Sequence, residues 1–396
     1  MAFIYNCKSL KLGFEPMRTR QHILFLVSGM QGGGAERVAS TLSNYWVQKG
    51  YRVTLIPTFS GRGDVIYHLD NGVELDFLAD RVKSTKRSAW NRLRRFWVLR
   101  RVIREYSPDV VISFLTHVNL AAILSAFGTK IPVIVSERTY PPRYPLGFFL
   151  ETLRVLLYPF ATAVVMQTNQ GLRWLKDNIS QNNGVVIPNP VAYPMVNSNP
   201  VVMPNDVIGK DRKICLSVGR LVKEKRFSEI ITAFSGLATK FPNWDLVILG
   251  EGLELINLKK KVTSLGLQDR IYFLGRVGNV SDWYSYAQAY VMNSRFEGFP
   301  NTLLEAMAHG LPVISTDCDT GPRELITDGF DGLLVDTFGF ESELSSAMEK
   351  IFDDFEFSRS LGKSAIEVRS KFSLYSVGSK WEDLIRLHTQ SSNDVK

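Results

Sequence analysis

The feature that most constrains the fold is an alternation of strand and helix patterns that occurs twice along the chain. Short apolar runs such as Ile23–Val27 and Asp109–Phe114 are separated by segments with helical periodicity, and the same alternation restarts at Lys213–Val218. Uninterrupted apolar runs are typical of strands buried on both faces of a parallel sheet, with the helices as crossovers. We therefore predict an α/β fold of two doubly wound domains, each with about five or six strands, that bind ligands at the carboxyl ends of the strands.

A proline-rich segment separates the two halves. Five prolines stand at positions 188, 190, 194, 200 and 204, which is typical of a linker. At 396 residues the chain is also too long for one ordinary domain. We predict a first domain at 23–190, a linker at 191–210 and a second domain at 211–373. Residues 374–396 form a last helix, and residues 1–22 lack the apolar core of a signal peptide, so we expect a disordered leader or a true start at Met17.

Composition excludes several classes of protein. The chain has three widely separated cysteines and no C-x-x-C pair, which argues against a disulfide framework or a zinc site and fits a reducing cytoplasm. The longest apolar run, Tyr144–Met166, is interrupted by Glu151, Arg154 and Pro159 and does not form a clean membrane span. These features predict a globular cytoplasmic protein.

The most informative stretch is Phe296–Gly310, which reads FEGFPNTLLEAMAHG. It predicts a helix over Thr302–His309, with Asn301 as its N-terminal cap and Gly310 as the left-handed residue after its end. The free amides at the start of such a helix favour a phosphate group. Glu297 lies just before the helix and Glu305 inside it, and carboxylates next to a phosphate suit the neutral hydroxyls of ribose and hexose. The combination indicates a nucleotide sugar.

Two cations precede this stretch in the second half. Arg220 and Lys225 flank the turn that follows the predicted strand Lys213–Val218. Cations there could bind a diphosphate through charge-assisted hydrogen bonds, although ordinary surface charge would give the same pattern.

The segment Asp317-Cys-Asp319 has the spacing of a divalent-metal site. It has no third hard ligand, and acids in such a turn commonly cap a helix. We therefore predict no metal.

In the first half, a glycine-rich turn at Ser28–Arg37 follows the first strand. It matches neither the dinucleotide nor the P-loop pattern, so it predicts either a close approach to phosphate or sugar or simply a tight connection. Polar residues follow several strands of this half, where each could be a cap or part of a shared site. They are Ser28, His117, Asn119, Ser136-Glu137-Arg138 and Gln167-Thr168-Asn169.

A basic stretch in the first half indicates a membrane partner. Between Arg81 and Arg104 there are ten lysines or arginines and no acid, within a net charge of +8 for the chain. As a helix, Trp90–Arg104 places Trp90, Leu93 and Trp97 on one stripe, which suits an anionic membrane surface or a pyrophosphate-bearing lipid. The alternative is a solvated charged face over a packed apolar stripe. Nucleic acid binding has no accompanying motif.

Several of these motifs together resemble family four of the retaining glycosyltransferases. The resemblance rests on Glu297 with Glu305 and on the runs GRLVKEK from Gly219, GGGAER from Gly32 and STDCDTGPRE from Ser315. It extends from about Ile23 to Leu387. It implies the GT-B architecture, in which two Rossmann-like domains face each other across a cleft, the C-terminal one binding the donor and the N-terminal one the acceptor. The last helix would cross back onto the N-terminal domain.

The resemblance also implies roles for individual residues. Arg220 and Lys225 would hold the donor diphosphate and stabilise the departing UDP. Glu305 would bind the ribose hydroxyls, Glu297 would contact the transferred sugar, and His117 would lie against that sugar. The other donor-binding positions are Gly33 and Gly34 in the N-terminal loop, Arg276 and Val277 beside the base, and Phe299, Pro300, Asn301, Thr302 and Leu303 near the sugar and phosphate.

The resemblance further implies transfer of a hexosyl or N-acetylhexosaminyl group from a UDP-sugar, with retention and without a metal or other cofactor. The expected sugar is galactose or N-acetylgalactosamine. The expected acceptor is a polyprenyl-diphosphate-linked saccharide in the synthesis of a surface polysaccharide such as lipopolysaccharide, O-antigen or capsule. The expected location is the inner face of the cell membrane, with peripheral contact through Trp90–Arg104. A same-fold UDP-sugar epimerase and a non-catalytic nucleotide-sugar-binding protein are the alternatives.

Overall fold

The computed structural model describes residues 20–58, 63–82, 89–180, 183–336 and 341–390. The N-terminal half contains a seven-stranded sheet in the order β3-β2-β1-β4-β5-β6-β7, and every neighbouring pair is parallel. Its strands are β1 (His22–Val27), β2 (Arg52–Pro57), β3 (Val73–Leu75), β4 (Val110–Phe114), β5 (Val133–Ser136), β6 (Ala163–Met166) and β7 (Gly184–Val186). Its helices are α1 (Gly34–Gln48), α2 (Leu78–Val82), α3 (Ala89–Tyr106), α4 (Thr116–Ala126), α5 (Phe148–Leu157) and α6 (Asn169–Asn178).

The C-terminal half repeats this plan with a six-stranded parallel sheet in the order β10-β9-β8-β11-β12-β13. A short helix, α7 (Pro204–Val207), precedes it. The strands are β8 (Lys213–Val218), β9 (Trp244–Leu249), β10 (Ile271–Gly275), β11 (Ala289–Met292), β12 (Val313–Asp317) and β13 (Leu333–Asp336). The helices are α8 (Phe227–Leu237), α9 (Leu255–Ser264), α10 (Val280–Tyr286), α11 (Asn301–Ala308), α12 (Pro322–Leu325), α13 (Glu341–Asp353), α14 (Phe355–Ala365), α15 (Val368–Lys371) and α16 (Leu374–Gln390).

Both sheets are buried on both faces, which explains their uninterrupted apolar strands. In β1, Phe25 belongs to the core on one face of the N-terminal sheet, while Leu24 and Leu26 belong to the core on the other face. Full burial of a side chain of this size contributes about 1.5–3 kcal/mol. The predicted fold class, two doubly wound α/β domains, is confirmed.

One strand was not predicted. β3 lies at the edge of the N-terminal sheet and pairs with β2, and its three residues are Val73, Glu74 and Leu75. Only Val73 is buried, so this edge strand is too short to show either an apolar run or a clear alternation. The N-terminal sheet therefore has one strand more than the pattern indicates.

The last helix packs onto the N-terminal half. In α16, the Trp381 ring lies 6.1 Å from Trp46 and 6.0 Å from Phe114, measured between ring centroids. Near the other end of the helix, Gln21 Nε2 donates a hydrogen bond of 3.0 Å to Thr389 Oγ1. The helix that follows the C-terminal sheet therefore completes the N-terminal core, as the family resemblance implies.

Sheet topology places the candidate site. The strand order reverses between β1 and β4 in one sheet and between β8 and β11 in the other. Ligands of open parallel sheets bind in the crevice outside the carboxyl ends of the strands at such a point. The glycine-rich loop before α1 and the loop before α11 both follow strands of this kind, and they face each other across the cleft between the domains.

Candidate functional site

The loop between β11 and α11 carries the first candidate acid, and the helix starts as predicted within one residue. Pro300 occupies the N-cap position, so Asn301 is the first helical residue rather than the cap. The prediction of Asn301 as a cap is therefore wrong. Its Oδ1 accepts a hydrogen bond of 2.6 Å from Asn189 Nδ2, and its Nδ2 donates one of 3.4 Å to the carbonyl of Gly34. The side chain of Asn301 is held by interdomain partners instead of acting as a cap, and Pro300 at the N-cap position makes no side-chain hydrogen bond to the first amides of α11.

The other end of α11 matches its prediction. The helix closes at Ala308, and Gly310 adopts φ +77°, the left-handed conformation that suits glycine after a helix end. His309 lies between them, and its Nδ1 is 2.7 Å from the carbonyl oxygen of Glu305. The helix that carries Glu305 therefore begins and ends within the predicted stretch.

Glu297 and Lys225 form an ion pair at the head of this loop. Lys225 ends the 3-10 turn Lys223–Lys225, and Glu297 Oε1 also accepts a hydrogen bond of 2.7 Å from Ser294 Oγ. The two side chains are 25% and 13% exposed, so the pair is accessible from the cleft but largely shielded. Two of the predicted catalytic residues are therefore in direct contact.

Arg220 lies on the same side of the domain, immediately after β8, and it is exposed. None of the ion pairs among the described residues involves Arg220. Its guanidinium can therefore bind an anion without first losing a carboxylate partner. Arg220, Lys225 and the amides at the start of α11 are the groups at this edge of the sheet that can bind a diphosphate.

Glu305 is buried and holds two contacts. Tyr284 donates a hydrogen bond of 3.2 Å to Oε2, and Arg37 of α1 forms an ion pair with Oε1 across the cleft. The charge of Glu305 raises the pKa of Arg37. Burial and the same carboxylate raise the pKa of Tyr284, which stays protonated and donates. The ion pair with Arg37 was not predicted, although Arg37 closes the GGGAER run on which the family resemblance rests.

The glycine-rich loop lies against the C-terminal domain. A Cβ on Gly34 would lie 3.1 Å from Asn301 Nδ2, so only glycine allows this close approach without displacement. Gly33 is the N-cap of α1 in extended backbone, and no side chain caps the amides that follow it. Nearby, a Cβ on Gly32 would lie 3.8 Å from Arg276 Nη1. The structure therefore brings the glycine-rich loop of the N-terminal domain close to Arg276 of the C-terminal domain, across the cleft.

His117 lies in the first turn of α4, directly after the carboxyl end of β4. The helix begins just after Leu115, whose φ of +79° is uncommon for a residue other than glycine. Burial lowers the pKa of His117, so its imidazole is neutral at pH 7 and can donate a hydrogen bond without carrying charge. That property suits contact with a sugar hydroxyl.

A polar network that the sequence did not reveal joins the N-terminal domain to α11. Arg138, at the end of β5, is 7% exposed, and its guanidinium carbon lies 4.1 Å from the centroid of the Phe114 ring. It donates to Asn189 Oδ1, which also accepts a 2.7 Å hydrogen bond from Gln167 Nε2. Burial lowers the pKa of Arg138 to about 9. The polar residues that follow β5 and β6 in the sequence indicated such a network. Each of them on its own, however, cannot be distinguished from a residue that caps a helix.

The two acids with metal-like spacing each have a cationic partner. Asp317 forms an ion pair with Arg323, and Asp319 forms one with Arg143 of the N-terminal domain. Within the described ranges, no three metal-ligating side chains cluster closely enough to hold an ion. The second of these pairs instead adds an interdomain contact on the side of the cleft that α12 borders.

The remaining predicted positions differ in accessibility. The side chains of Val277, Phe299 and Leu303 are buried in the C-terminal core, so any contact they make with a ligand is through backbone. Thr302 Oγ1 accepts a hydrogen bond of 2.8 Å from Tyr290 and is likewise held by the domain. The side chains that can contact a ligand are therefore those of the two acids, Glu297 and Glu305, and of the two cations, Arg220 and Lys225. Residues of the N-terminal domain approach them from across the cleft.

The chain is similar to known proteins along most of its length. Residues 32–192 match the model described as Glycosyltransferase Family 4, and residues 202–368 match Glycosyl transferases group 1. An N-acetylgalactosaminyltransferase from Campylobacter jejuni, named for the acceptor GalNAc-GalNAc-diNAcBac-PP-undecaprenol, is 29% identical over 92% of this chain and 98% of its own. The amylovoran biosynthesis glycosyltransferase AmsD from Erwinia amylovora is 27% identical over 92% of this chain and 99% of its own.

The fold is also that of solved structures. Sucrose-phosphate synthase from Thermosynechococcus elongatus superposes with a TM-score of 0.80 at 18% identity, over 94% of this chain and 100% of that one. At this identity the similarity concerns the fold alone. Both domains and their relative arrangement are shared with an enzyme of the GT-B type.

Proposed function

The chain belongs to the glycosyltransferases that combine a family 4 domain with a group 1 domain, and from this we propose a specific transfer reaction. It moves a hexosyl or N-acetylhexosaminyl group from a UDP-sugar to a polyprenyl-diphosphate-linked saccharide, with retention of configuration. Galactose and N-acetylgalactosamine are the leading candidates for the sugar. The product would extend a cell-surface polysaccharide.

The observation that carries this proposal is the contact between Lys225 and Glu297 beside the uncapped start of α11. Lys225 and the exposed Arg220 supply charge for a diphosphate, and Glu297 supplies an acceptor for sugar hydroxyls. Glu305 lies one helical turn away on the same helix and can accept from the ribose. One edge of one sheet therefore presents complementary groups for the diphosphate, the transferred sugar and the ribose.

The proposed acceptor is supported by the relatives. The Campylobacter jejuni enzyme is named for a saccharide on undecaprenyl diphosphate, and it aligns with nearly all of this chain. AmsD is named for the synthesis of amylovoran. The donor and the acceptor are therefore proposed as classes, a UDP-sugar and a lipid-linked saccharide.

Contact with a membrane is supported by exposed aromatic residues. Among the described residues, no helix is long and apolar enough to cross a bilayer. α3 instead presents Trp90, Leu93 and Trp97 with 76%, 58% and 64% of their surfaces exposed, among the arginines of the same helix. Phe148 and Phe149 of α5 are also exposed, and α4 packs against both helices. We propose that this face lies on the inner surface of the membrane, where a lipid-linked acceptor is presented.

The proposed mechanism is a front-side displacement. The acceptor hydroxyl attacks the anomeric carbon from the side of the leaving group, and the departing phosphate oxygen takes the hydroxyl proton. Lys225 and Arg220 would stabilise the negative charge that develops on UDP, and Glu297 would hold the sugar in place. The positive groups that surround the diphosphate position make a divalent metal unnecessary in this proposal.

Two substitutions test the assignment of these residues. Lys225→Ala removes a contact that stabilises negative charge on UDP. Glu297→Gln weakens the hydrogen bonds to the sugar and removes the ion pair with Lys225. Loss of one such electrostatic contact typically lowers kcat by about a hundred- to a thousandfold. The measurement is UDP release in the presence of a lipid-diphosphate-linked saccharide and UDP-N-acetylgalactosamine.

The matched control is Lys223→Ala, because Lys223 is an exposed lysine two residues away on the same turn. Its removal is expected to leave turnover within about twofold, since an exposed charge contributes little. Turnover close to that of the wild type in Lys225→Ala would rule out the proposed role of the basic turn.

A further inference from the structure

Arg37 is the residue of the N-terminal domain that reaches the acid proposed to bind ribose. It lies in the first turns of α1, and its Nη1 forms an ion pair with Glu305 Oε1. Tyr284 occupies the other oxygen of Glu305 at 3.2 Å. Both oxygens are therefore engaged by protein donors, and a ribose diol that binds Glu305 competes with Arg37 and Tyr284 for its acceptor sites.

Arg37 has a limited choice of partners. Among the described residues, Glu305 is the acid with which it forms an ion pair, and its remaining contact of note is with the Tyr67 ring at 5.6 Å. The side chain is 32% exposed, so it reaches the cleft but is substantially desolvated. A desolvated guanidinium that gives up its carboxylate is unfavourable unless another anion replaces it. A ligand that displaces Arg37 from Glu305 therefore binds more favourably when it brings an anion for the guanidinium.

The donor brings that anion with it. In a nucleoside diphosphate the phosphate chain is attached to the ribose, so an anion arrives next to whatever group takes the ribose hydroxyls. The start of α1 is also held against the start of α11, since Asn301 donates to the carbonyl of Gly34. Arg37, one turn further along α1, therefore contacts Glu305 while the start of its own helix lies against the end of α11 that we propose faces the phosphates.

Resting on the function proposed above, we propose that Arg37 is a ligand of the donor diphosphate. It exchanges its ion pair with Glu305 for the phosphates when the ribose takes that carboxylate. Arg37 then acts in two directions. It opposes a nucleoside that carries no phosphate, because such a ligand displaces it and offers no anion, and it favours a nucleoside diphosphate, which replaces the lost carboxylate.

This exchange predicts opposite effects on two ligands. In Arg37→Ala, affinity for UDP should fall by about tenfold or more, as expected for the loss of a charge-assisted contact. Affinity for uridine should rise, because the competitor for Glu305 is gone. Arg37→Lys should keep part of the UDP affinity, since it retains a cation. The measurements are calorimetry for UDP and ligand-observed NMR for uridine on the full chain.

Arg52→Ala is the control. Arg52 is the first residue of β2, at the amino end of the strand and so away from the carboxyl ends that border the proposed site. It pairs with Glu74 at 3.1 Å and is half exposed, so both affinities should stay unchanged. Unchanged UDP binding in Arg37→Ala, or an equal fall for UDP and uridine, would overturn the role of Arg37 while leaving the proposed function in place. Failure of the wild-type chain to bind UDP would overturn both.

Discussion

At the scale of single residues, the N-terminal domain holds a buried charge cluster that is separate from the proposed chemistry. Glu137 is 2% exposed and accepts hydrogen bonds from Thr116 Oγ1 at 2.8 Å and from the Tyr158 hydroxyl. Arg154 Nη1 lies 3.7 Å from the same carboxylate and also pairs with Glu151. Burial raises the pKa of Glu137 and that of Tyr158. The cluster joins the end of β5 to the helices α4 and α5.

Removal of Glu137 is expected to destabilise the domain. Glu137→Ala leaves Arg154 buried with one acid instead of two and leaves two hydroxyl donors without their acceptor. Breaking a buried pair typically costs about 3–5 kcal/mol, and we expect the lower end because Glu151 remains. Urea unfolding followed by circular dichroism measures the change.

Glu105→Ala is the control for this measurement. Glu105 pairs with Arg81 at 3.1 Å and is 54% exposed, so its loss should change the free energy of unfolding by less than about 1 kcal/mol. Equal effects of the two substitutions would mean that the buried cluster adds nothing to stability beyond an ordinary surface pair.

At the scale of elements, the apolar residues of α3 form an exposed stripe in its first part and a buried face in its second part. The stripe of Trp90, Leu93 and Trp97 was predicted, with packing against the domain as the alternative. The structure has the stripe exposed, while Leu99, Val102 and Ile103 of the same helix are buried in the core. Two apolar faces follow one another along the helix, so only its second part is held by packing.

The exposed part of α3 is expected to govern membrane binding. Trp90→Ala combined with Trp97→Ala should lower affinity for vesicles that contain anionic lipid by about tenfold or more, since full burial of a large side chain is worth about 1.5–3 kcal/mol. Stability should be unaffected, because both rings are exposed. Vesicle co-sedimentation measures the change.

Phe355→Ala provides the comparison. Phe355 is 67% exposed on α14 of the C-terminal domain, away from this face, and its loss should not change vesicle binding. If the tryptophan variant and the Phe355 variant bind vesicles equally well, α3 is not the membrane contact.

At the scale of the whole molecule, the sequence predicts the two sheets because a buried strand and an amphipathic helix are recorded in local periodicity. It predicts the acids and cations of the C-terminal site because they follow strands and begin a helix. The pairs that cross the cleft cannot be predicted in this way, since they depend on how the two domains meet. Arg37 with Glu305, Asn189 with Asn301 and Arg143 with Asp319 are of this kind.

The same reasoning explains the incorrect cap. Asn301 has the residue type and position of a helix cap, and a single domain would leave it no other partner. The N-terminal domain offers Asn189 and the carbonyl of Gly34, and these contacts take the side chain. The contacts of a side chain at a domain interface depend both on its own helix and on the facing domain. Only the preference set by the helix can be inferred from the local sequence.

The central claim, retaining transfer from a UDP-sugar to a lipid-linked acceptor, is tested most directly by the stereochemistry of the product. UDP-N-acetylgalactosamine and UDP-galactose would be incubated separately with a polyprenyl-diphosphate-linked saccharide in the presence of EDTA, and the product analysed by NMR. We predict release of UDP and a new α-linkage, the configuration of the donor, with at least one of the two sugars. A β-linkage would contradict retention, and epimerised UDP-sugar without transfer, or binding without UDP release, would contradict the transferase itself.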